Sequence, residues 1–345
     1  MTTLRVLVCE DSRAYAAALR RMLEYDGDIA VHAVCATAEE AVAALPRIEP
    51  DLVTMDLELP GMDGLEAVGE IMGWRPLPIL VLSGHVGPRS DRAAAALAAG
   101  ALDALAKDDL DLRDPAGTVG AAFRQRVKAL SRAHVIRHPR ARLSARPGAP
   151  GLARRASVIG VCASAGGPQV LVCLLHALPA DYPIPILIVQ HMAAGFTEGL
   201  VRWLDQTVHI PVGAASPGAR AAPGAWLAPE GAHLTLGVTG RLELDRHTIA
   251  GLHRPSGDVL LRSVAAAAGK AGVAVVLSGM GSDGAAGAAA VRSSGGLAIA
   301  QDEQSSAVFG MPKAAINLGV EVMLSPGEIA ACLLGLRHEP LPRER

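Results

Sequence analysis

Three polar residues follow separate apolar runs, and their types could support nucleophilic chemistry. Ser164 opens the glycine-rich turn Ser164–Pro168, while His191 and Asp283 each follow a further apolar run. A serine hydroxyl at a strand-to-helix turn can act as a nucleophile, because free backbone N–H groups there can meet an oxyanion. His191 could take the serine proton, and Asp283 could hold the imidazole in the required tautomer. Since parallel strands end at one edge of their sheet, the pattern predicts a Ser–His–Asp triad.

Each of these residues also has a simpler interpretation. The turn at Ser164 could cradle a phosphate or cap a helix. A lone histidine such as His191 is often structural, and Asp283 lies in Gly281–Gly284, which is itself a good turn sequence. Cys162 is a poor candidate for the nucleophile, because we expect it inside the strand. The order serine, histidine, aspartate at three strand ends favours catalysis.

Acidic residues in the N-terminal part indicate a second kind of chemistry. Glu10 and Asp11 end the first predicted strand, and Asp56 ends the third. Three converging carboxylates need a cation, and an all-oxygen ligand set suits Mg²⁺, with which Asp56 could attack a phosphoryl donor. Ser83 could donate a hydrogen bond to the phosphoryl group, and Lys107 could pair with it. Taken singly, each aspartate after a strand could instead be a turn residue or a helix cap.

Two sheets are needed to position these residues. Short apolar runs alternate with alanine-rich, helix-like stretches over residues 3–125, and the alternation resumes over residues 157–337. The strand-like runs of the first part are Val6–Cys9, Val31–Val34, Leu52–Met55 and Ile79–Leu82. Such alternation predicts an α/β fold with two doubly wound parallel-sheet domains. Residues 132–156 are rich in proline, glycine and arginine, which is typical of a linker.

The composition excludes several classes of protein. The chain has 345 residues and is 50% hydrophobic, which suits two globular domains rather than a disordered chain. Its net charge of −2 gives no electrostatic basis for binding nucleic acid or a membrane surface, and the linker arginines lack the interleaved aromatic residues of a nucleic-acid tail. The sequence shows no signal peptide, no apolar run of about 18 residues and no Cys-x-x-Cys pair. We therefore expect a soluble cytoplasmic protein with no nucleic-acid partner and no membrane insertion.

The N-terminal part resembles a response-regulator receiver domain over residues 3–125. The motifs that carry the resemblance are Glu10–Ser12, the Met-Asp-x-x-x-Pro-x-x-Asp-Gly string at Met55–Gly64, Ser83 and Lys107. The resemblance implies that Asp56 is the phosphorylated residue, supported by Ser83 and Lys107, and that the acidic cluster holds Mg²⁺. It also implies a sensor histidine kinase as the phosphoryl donor.

Residues from about 158 to 336 resemble the catalytic domain of the chemotaxis protein-glutamate methylesterases, which are also protein-glutamine glutaminases. The strings that carry the resemblance are Ala163–Pro168, Gln190–Met192 with Gly195–Thr197, His253–Ser256, Ser278–Gly284 and Val308–Pro312. They imply a Rossmann-like esterase domain with Ser164, His191 and Asp283 as the triad, the Met280 backbone N–H as an oxyanion donor, and no cofactor for the esterase. The implied reaction removes methyl esters from glutamates on the cytoplasmic helices of chemoreceptors, releases methanol, and deamidates receptor glutamines.

Four positions depart from the patterns of these families. Asp108 stands where proline usually follows the receiver lysine, and Ala104 replaces the usual aromatic residue. We therefore expect weaker activation by phosphorylation than is usual in the family. Beside the nucleophile, Cys162 replaces a common glycine, and Ala165 replaces a common threonine.

Other functions remain open at this point. The alternative to an enzyme is a receiver-regulated adaptor with an inactive hydrolase scaffold, although the intact triad residues argue against it. A DNA-binding response regulator would need a short helix-turn-helix effector, whereas the second half has an α/β pattern. His253 and Arg254 could line a groove that attracts acidic receptor helices. They could equally belong to a helix-start motif capped by Ser256.

Overall fold

The computed structural model describes residues 3–84, 89–133, 135, 154–248 and 253–341. The chain divides into two compact units, the first being Met1–His138 with Met192–Gly199, and the second Pro139–His191 with Leu200–Arg345. These units are termed the N-terminal and C-terminal domains, and each is described by itself. Residues 134 and 136–153, which make up most of the predicted linker, lie outside the described residues.

The N-terminal domain contains a five-stranded parallel sheet with the strand order β2-β1-β3-β4-β5. Its strands are β1 (Leu4–Cys9), β2 (Ile29–Cys35), β3 (Leu52–Asp56), β4 (Ile79–Ser83) and β5 (Asp103–Ala106). Its helices are α1 (Arg13–Glu24), α2 (Ala38–Ile48), α3 (Gly64–Trp74), α4 (Arg89–Ala99) and α5 (Thr118–Leu130). The four strands predicted from apolar runs are confirmed. Strand β5 escaped prediction because it has only four residues, Asp-Ala-Leu-Ala.

The strand order of this domain brings its acidic residues together. Strands β3 and β4 are buried at every residue, as expected for parallel strands with helices on both faces. The Ser12 hydroxyl and the Asp63 carboxylate cap α1 and α3, where they accept backbone N–H groups of the first turn. Strand β2 lies on one side of β1 and β3 on the other, so the carboxyl ends of β1 and β3 flank a crevice. Glu10 and Asp56 stand at this edge.

The C-terminal domain contains a seven-stranded parallel sheet with the strand order β15-β14-β13-β7-β8-β10-β9. Its strands are β7 (Val158–Ala163), β8 (Ile186–Gln190), β9 (Val212–Ala214), β10 (Ala225–Leu227), β13 (Gly272–Val276), β14 (Leu297–Gln301) and β15 (Val322–Leu324). The helices are α6 (Gly167–His176), α7 (Thr197–Thr207), α8 (Gly257–Ala268), α9 (Ala285–Ser293), α10 (Met311–Asn317) and α11 (Pro326–Leu334), of which α7 belongs to this domain from Leu200 onward. The predicted α/β class with two parallel-sheet domains is thus confirmed.

Two small sheets accompany the main sheet of the C-terminal domain. Strands β11 (His233–Leu236) and β12 (Leu242–Asp245) form an antiparallel hairpin. Strand β6 (Arg155–Ala156) pairs in parallel with β16 (Arg337–His338). The predicted linker therefore ends too late, because residues 155 and 156 form a hydrogen-bonded strand on this domain. Among the described helices, none is long and apolar enough to cross a membrane.

The middle of the large sheet places the candidate catalytic residues. Strand β7 lies between β13 and β8, and all three strands are buried throughout. From β7 the chain adds β8, β9 and β10 on one side of the sheet and then β13, β14 and β15 on the other. The direction of the strand order therefore reverses at β7. Ligands of open parallel sheets bind outside the carboxyl ends of the strands at such a reversal. Ser164, His191 and Asp283 follow these three strands.

Candidate active site and phosphorylation site

The turn after β7 holds Ser164 by its backbone. The Ser164 N–H donates to the Ser278 carbonyl at 3.0 Å, and its own carbonyl accepts the Gly167 N–H at 2.8 Å. Gly166 adopts a left-handed conformation with φ of +74° at the N-cap of α6. A residue with a side chain is strained there, which explains the glycine-rich turn. The turn leaves Ser164 buried at the carboxyl edge of the sheet.

The segment after β13 passes directly over the candidate nucleophile. A Cβ atom at Gly279 would lie 2.7 Å from the Ser164 Cβ and 2.3 Å from the Met311 Sδ, so only glycine fits. The Gly279 carbonyl accepts the N–H groups of Gly310 at 3.1 Å and Met311 at 2.9 Å. The N–H and C=O of a trans peptide point in opposite directions, so the Met280 N–H points away from α10. That N–H has no acceptor within the described part of the chain, so it is a free donor close to Ser164.

His191 stands beside Ser164 at the end of the adjacent strand. Ala163 and Gln190 are register partners, and the His191 N–H donates to the Ala163 carbonyl at 2.9 Å. The Nε2 atom of His191 lies 2.8 Å from the Asp283 Oδ2. Its Nδ1 atom is buried and has no hydrogen-bond partner among the described residues, the Ser164 hydroxyl included. In a neutral imidazole whose Nε2 donates to the carboxylate, Nδ1 carries the free lone pair.

The Asp283 carboxylate is held at the N-terminus of α8. Its Oδ1 accepts the Ser256 hydroxyl at 2.7 Å and the Asp258 N–H at 3.0 Å, and its Oδ2 accepts the Gly257 N–H at 2.6 Å. Burial acts to raise the pKa of Asp283, but the hydrogen bonds from His191 and these backbone N–H groups outweigh burial and hold the pKa well below its usual range. The carboxylate is therefore ionised and fixed in orientation.

Ser256 and His253 extend the site beyond the three predicted residues. Ser256 is the N-cap of α8 and accepts the Val259 N–H at 3.4 Å, which confirms the interpretation of a capped helix start. The His253 ring stacks on the His191 ring with a centroid distance of 4.2 Å and an interplanar angle of 20°. The sequence did not indicate that Ser256 contacts Asp283. The signal available was a serine at a helix start within a motif of the methylesterase family.

Cys162 lies inside β7, as predicted, and is fully buried. A Cβ at Gly257 would lie 2.6 Å from the Cys162 Sγ, and a Cβ at Gly284 would lie 2.9 Å from the Cys162 Cβ. Burial, followed by the charges of Asp283 and Asp258, raises the pKa of the Cys162 thiol far above its ordinary value. A thiol that stays protonated is a poor nucleophile, so Cys162 does not compete with Ser164 as the candidate nucleophile of this turn.

The acidic residues of the N-terminal domain converge as predicted. The carboxylate oxygens of Glu10, Asp11 and Asp56 all lie within 4.8 Å of one another. The Lys107 Nζ lies 2.7 Å from the Asp56 Oδ2 and 2.6 Å from the Glu10 Oε2. Ser83 ends β4 and is buried, with Ala106 as its register partner, so it stands next to Lys107 at the same edge.

The charge balance at this edge fits a divalent cation. Burial raises the pKa of Glu10, although its contact with Lys107 opposes the rise. The Glu10 Oε2 is buried, and the Lys107 ammonium lies 2.6 Å from it. One lysine faces three carboxylates, which leaves an excess of two negative charges. Oxygen ligands with that excess suit Mg²⁺.

The two departures of the receiver part lie close to Lys107. Ala104 is buried in the core of the N-terminal domain. Asp108 is exposed within a single 3₁₀ turn, Lys107–Asp109. The Tyr15 ring lies 4.7 Å from the Lys107 Nζ, and the Tyr15 hydroxyl donates to the Lys107 carbonyl at 3.5 Å. An aromatic ring therefore contacts the lysine from α1 rather than from β5.

Comparison with known proteins gives the family. The CheB methylesterase model matches residues 159–333, and the response regulator receiver domain model matches residues 6–113. The chain is 40% identical to protein-glutamate methylesterase/protein-glutamine glutaminase 2 of Anaeromyxobacter dehalogenans (strain 2CP-C), over 96% of each chain. It is also 40% identical to the protein numbered 4 with the same name from Myxococcus xanthus (strain DK1622), over 94% of each chain.

A solved structure resembles the C-terminal domain. It is the crystal structure of the Thermotoga maritima CheB methylesterase catalytic domain, which is 36% identical with a TM-score of 0.50 and covers 52% of this chain and 97% of that chain. Residues 159–333, which the CheB methylesterase model matches, include Ser164, His191 and Asp283. The chain therefore belongs to the CheB family of protein-glutamate methylesterases/protein-glutamine glutaminases, which are carboxylic-ester hydrolases, and it carries a response regulator receiver domain in its N-terminal part.

Proposed function

We propose that this chain is a cytoplasmic, phosphorylation-regulated hydrolase that removes methyl esters from glutamate side chains of chemoreceptor helices. The same site would deamidate receptor glutamines, because an amide carbonyl can be attacked in the same way. The observation that carries the proposal is the His191–Asp283 pair at 2.8 Å, with a buried, unpartnered Nδ1 beside Ser164 within the described structure. A base with a free lone pair, an ionised orienting carboxylate and a neighbouring hydroxyl are the parts that acyl transfer requires.

These positions support acylation of the serine. The Ser164 oxygen bonds to the ester carbonyl carbon while its proton passes to the His191 Nδ1. Asp283 stabilises the resulting imidazolium through the Nε2–H, and it stays ionised because four hydrogen bonds hold its carboxylate. The carbon–oxygen bond to the methoxy group then breaks, and the leaving oxygen takes the proton from Nδ1 as methanol. For a glutamine substrate the leaving group is ammonia.

The negative charge that develops on the carbonyl oxygen needs a donor. The Met280 N–H supports that role, because it has no acceptor among the described residues and follows Gly279, where a Cβ atom would lie 2.7 Å from the Ser164 Cβ. Removing one such donor typically slows acyl transfer by about 10²–10³-fold. Water then attacks the acyl carbon with Nδ1 as the base, and the glutamate is released with Ser164 restored.

The acidic cluster supports phosphorylation at Asp56. Glu10, Asp11 and Asp56 would hold Mg²⁺, which offsets the negative charge of a phosphoryl donor when bound. The Asp56 carboxylate is the proposed acceptor, and the 2.7 Å distance from the Lys107 Nζ to Asp56 supports the pairing of this lysine with the phosphoryl oxygens. Ser83 would donate a hydrogen bond to the same group. A sensor histidine kinase is the proposed donor, and phosphorylation is proposed to raise esterase activity.

Methanol release distinguishes this enzyme from an adaptor with an inactive scaffold. The full chain is mixed with membranes that contain methylated chemoreceptor, with and without acetyl phosphate and Mg²⁺, and methanol is measured by gas chromatography. We expect turnover in both conditions, with faster release when the phosphoryl donor is present. Stable binding to the receptor without methanol release would establish the adaptor and contradict the proposal.

A further inference from the structure

The side-chain amide of Gln190 joins the backbones of two residues of the candidate triad. Gln190 is the last residue of β8 and is only 7% exposed. Its Nε2 donates one hydrogen bond to the Ser164 carbonyl and one to the His191 carbonyl, each at 2.9 Å. No step of the proposed reaction uses this amide. Its two donor hydrogens are both committed to the residues that carry the nucleophile and the base.

The hydrogen bonds from Gln190 add to other backbone hydrogen bonds that hold Ser164 and His191 in place. The Ser164 carbonyl accepts the Gly167 N–H at 2.8 Å as well as the Gln190 amide, so both of its lone pairs are used. His191 is held at its N–H by the Ala163 carbonyl at 2.9 Å and at its own carbonyl by Gln190. The direction in which each side chain leaves the backbone is thereby set.

The oxygen of the same amide makes no hydrogen bond with the described residues, so it does not explain why glutamine is present. Gln190 Oε1 is buried and has no hydrogen-bond partner among the described residues. A Cβ at Gly167 would lie 2.3 Å from this oxygen, so the start of α6 packs directly on it. A buried carbonyl oxygen without a donor is destabilising, and an apolar side chain of equal length would avoid it. Glutamine therefore differs from an apolar residue at this position by the two hydrogen bonds that its amide donates.

We propose that Gln190 is a positioning residue that sets the distance between the Ser164 hydroxyl and the His191 Nδ1. The inference rests on the proposed function, because it takes these atoms as nucleophile and base. Within the described structure no hydrogen bond joins the two side chains, so their separation depends on the backbones that Gln190 connects. A displacement of about 1 Å between reacting groups can slow a reaction by about 10²-fold.

The test measures the reactivity of Ser164 without a receptor. The full chain is treated with a fluorophosphonate, which phosphonylates an activated serine and releases fluoride, and the rate and final stoichiometry are followed by mass spectrometry from pH 5 to 9. In Gln190→Met, which keeps the length but has no donor, we expect the plateau rate to fall by about 10–100-fold. The final labelling stays at one group per chain, and the pH midpoint is unchanged because methionine carries no charge.

Two further variants complete the test. Gln190→Glu places a carboxylate against the two carbonyl oxygens, so it should react more slowly than Gln190→Met at neutral pH. Ser157→Ala is the control, because it removes a buried hydroxyl that donates to the Ala271 carbonyl at 3.4 Å, before β7 rather than after it. This control should label at the wild-type rate.

Several outcomes would overturn the role of Gln190. Wild-type rates in Gln190→Met or Gln190→Glu would show that the two bonds do not set the geometry. Reduced final labelling with an unchanged rate would show a loss of folded protein only, and a shifted pH midpoint would show a direct effect on the imidazole. Labelling of the wild type that persists in Ser164→Ala would contradict the proposed function itself, and this inference with it.

Discussion

Asp283 Oδ2 and His191 Nε2 lie 2.8 Å apart, and this pairing decides which imidazole nitrogen is left for chemistry. In the serine protease triad, Nδ1 donates to the aspartate and Nε2 faces the serine. The two nitrogens exchange these roles here, because the carboxylate at the N-terminus of α8 takes Nε2. The nitrogen nearer the backbone, Nδ1, becomes the candidate base.

Replacement of Ser164 tests the nucleophile. We expect Ser164→Ala to abolish methanol release while the circular dichroism spectrum and unfolding midpoint stay close to wild type, because only the attacking oxygen is lost. Ser293→Ala is a matched control, since Ser293 is exposed at the end of α9. Turnover at the wild-type rate in folded Ser164→Ala would rule out this serine.

Asp283→Asn tests the orienting carboxylate. Both oxygens of Asp283 accept hydrogen bonds, so an amide NH₂ in either position would face a donor. We expect the rate of methanol release to fall by about 10³–10⁴-fold, because the imidazole is no longer held in the required tautomer. The measurement is kcat on methylated receptor membranes. A loss of less than about tenfold would mean that Asp283 does not orient the base.

Asp56→Asn tests the phosphoryl acceptor. The variant should take up no label from radioactive acetyl phosphate, because the amide lacks the nucleophilic oxygen. Its basal methanol release should match wild type and should not rise with the phosphoryl donor. Asp109→Asn, at an exposed aspartate of the neighbouring 3₁₀ turn, is the control and should label normally. Equal labelling of the two variants would assign the phosphoryl group to another residue.

Removal of Mg²⁺ should prevent labelling of the wild-type chain. Three carboxylates at this edge face a single lysine, so a phosphoryl donor would be repelled without a cation. We expect labelling to stop in EDTA and to return when Mg²⁺ is added in excess. Asp11→Asn should need a higher Mg²⁺ concentration for half-maximal labelling, since it removes one ligand. Undiminished labelling in EDTA would contradict the metal requirement.

The lowered pKa of Asp283 predicts how stability depends on pH. A carboxylate whose folded-state pKa lies below its unfolded value of about 3.9 stabilises the fold above that pH, and the contribution disappears as pH falls towards the folded value. We therefore expect the urea midpoint of the wild type to fall more steeply than that of Asp283→Asn between pH 5 and pH 3. Parallel curves for the two proteins would show that Asp283 is not the group that titrates.

The apolar runs, together with the polar and glycine-rich segments that end them, were enough to predict the strands that carry Ser164, His191 and Asp56. Each of these residues follows or ends a buried run, and parallel pairing brings such ends together whatever the details of packing. The partners of Asp283 could not be predicted in this way. Ser256 and Gly257 are far from it in sequence, and they reach it only because α8 packs on β7 and β13. The choice of Nε2 over Nδ1 depends on that packing as well.

The position of Cys162 between Gly257 and Gly284 gives this domain a built-in reporter of local opening. The N-termini of α8 and α9 press on the thiol so closely that neither glycine could carry a methyl group. Because the sulfur is fully buried under these helix ends, we expect an alkylating reagent to reach it only after they separate. Separation of the α8 end also releases Asp283 from Ser256, Gly257 and Asp258. We therefore expect Cys162 to react slowly with iodoacetamide, at a rate that reports how often the native domain opens at the candidate site, without any turnover assay.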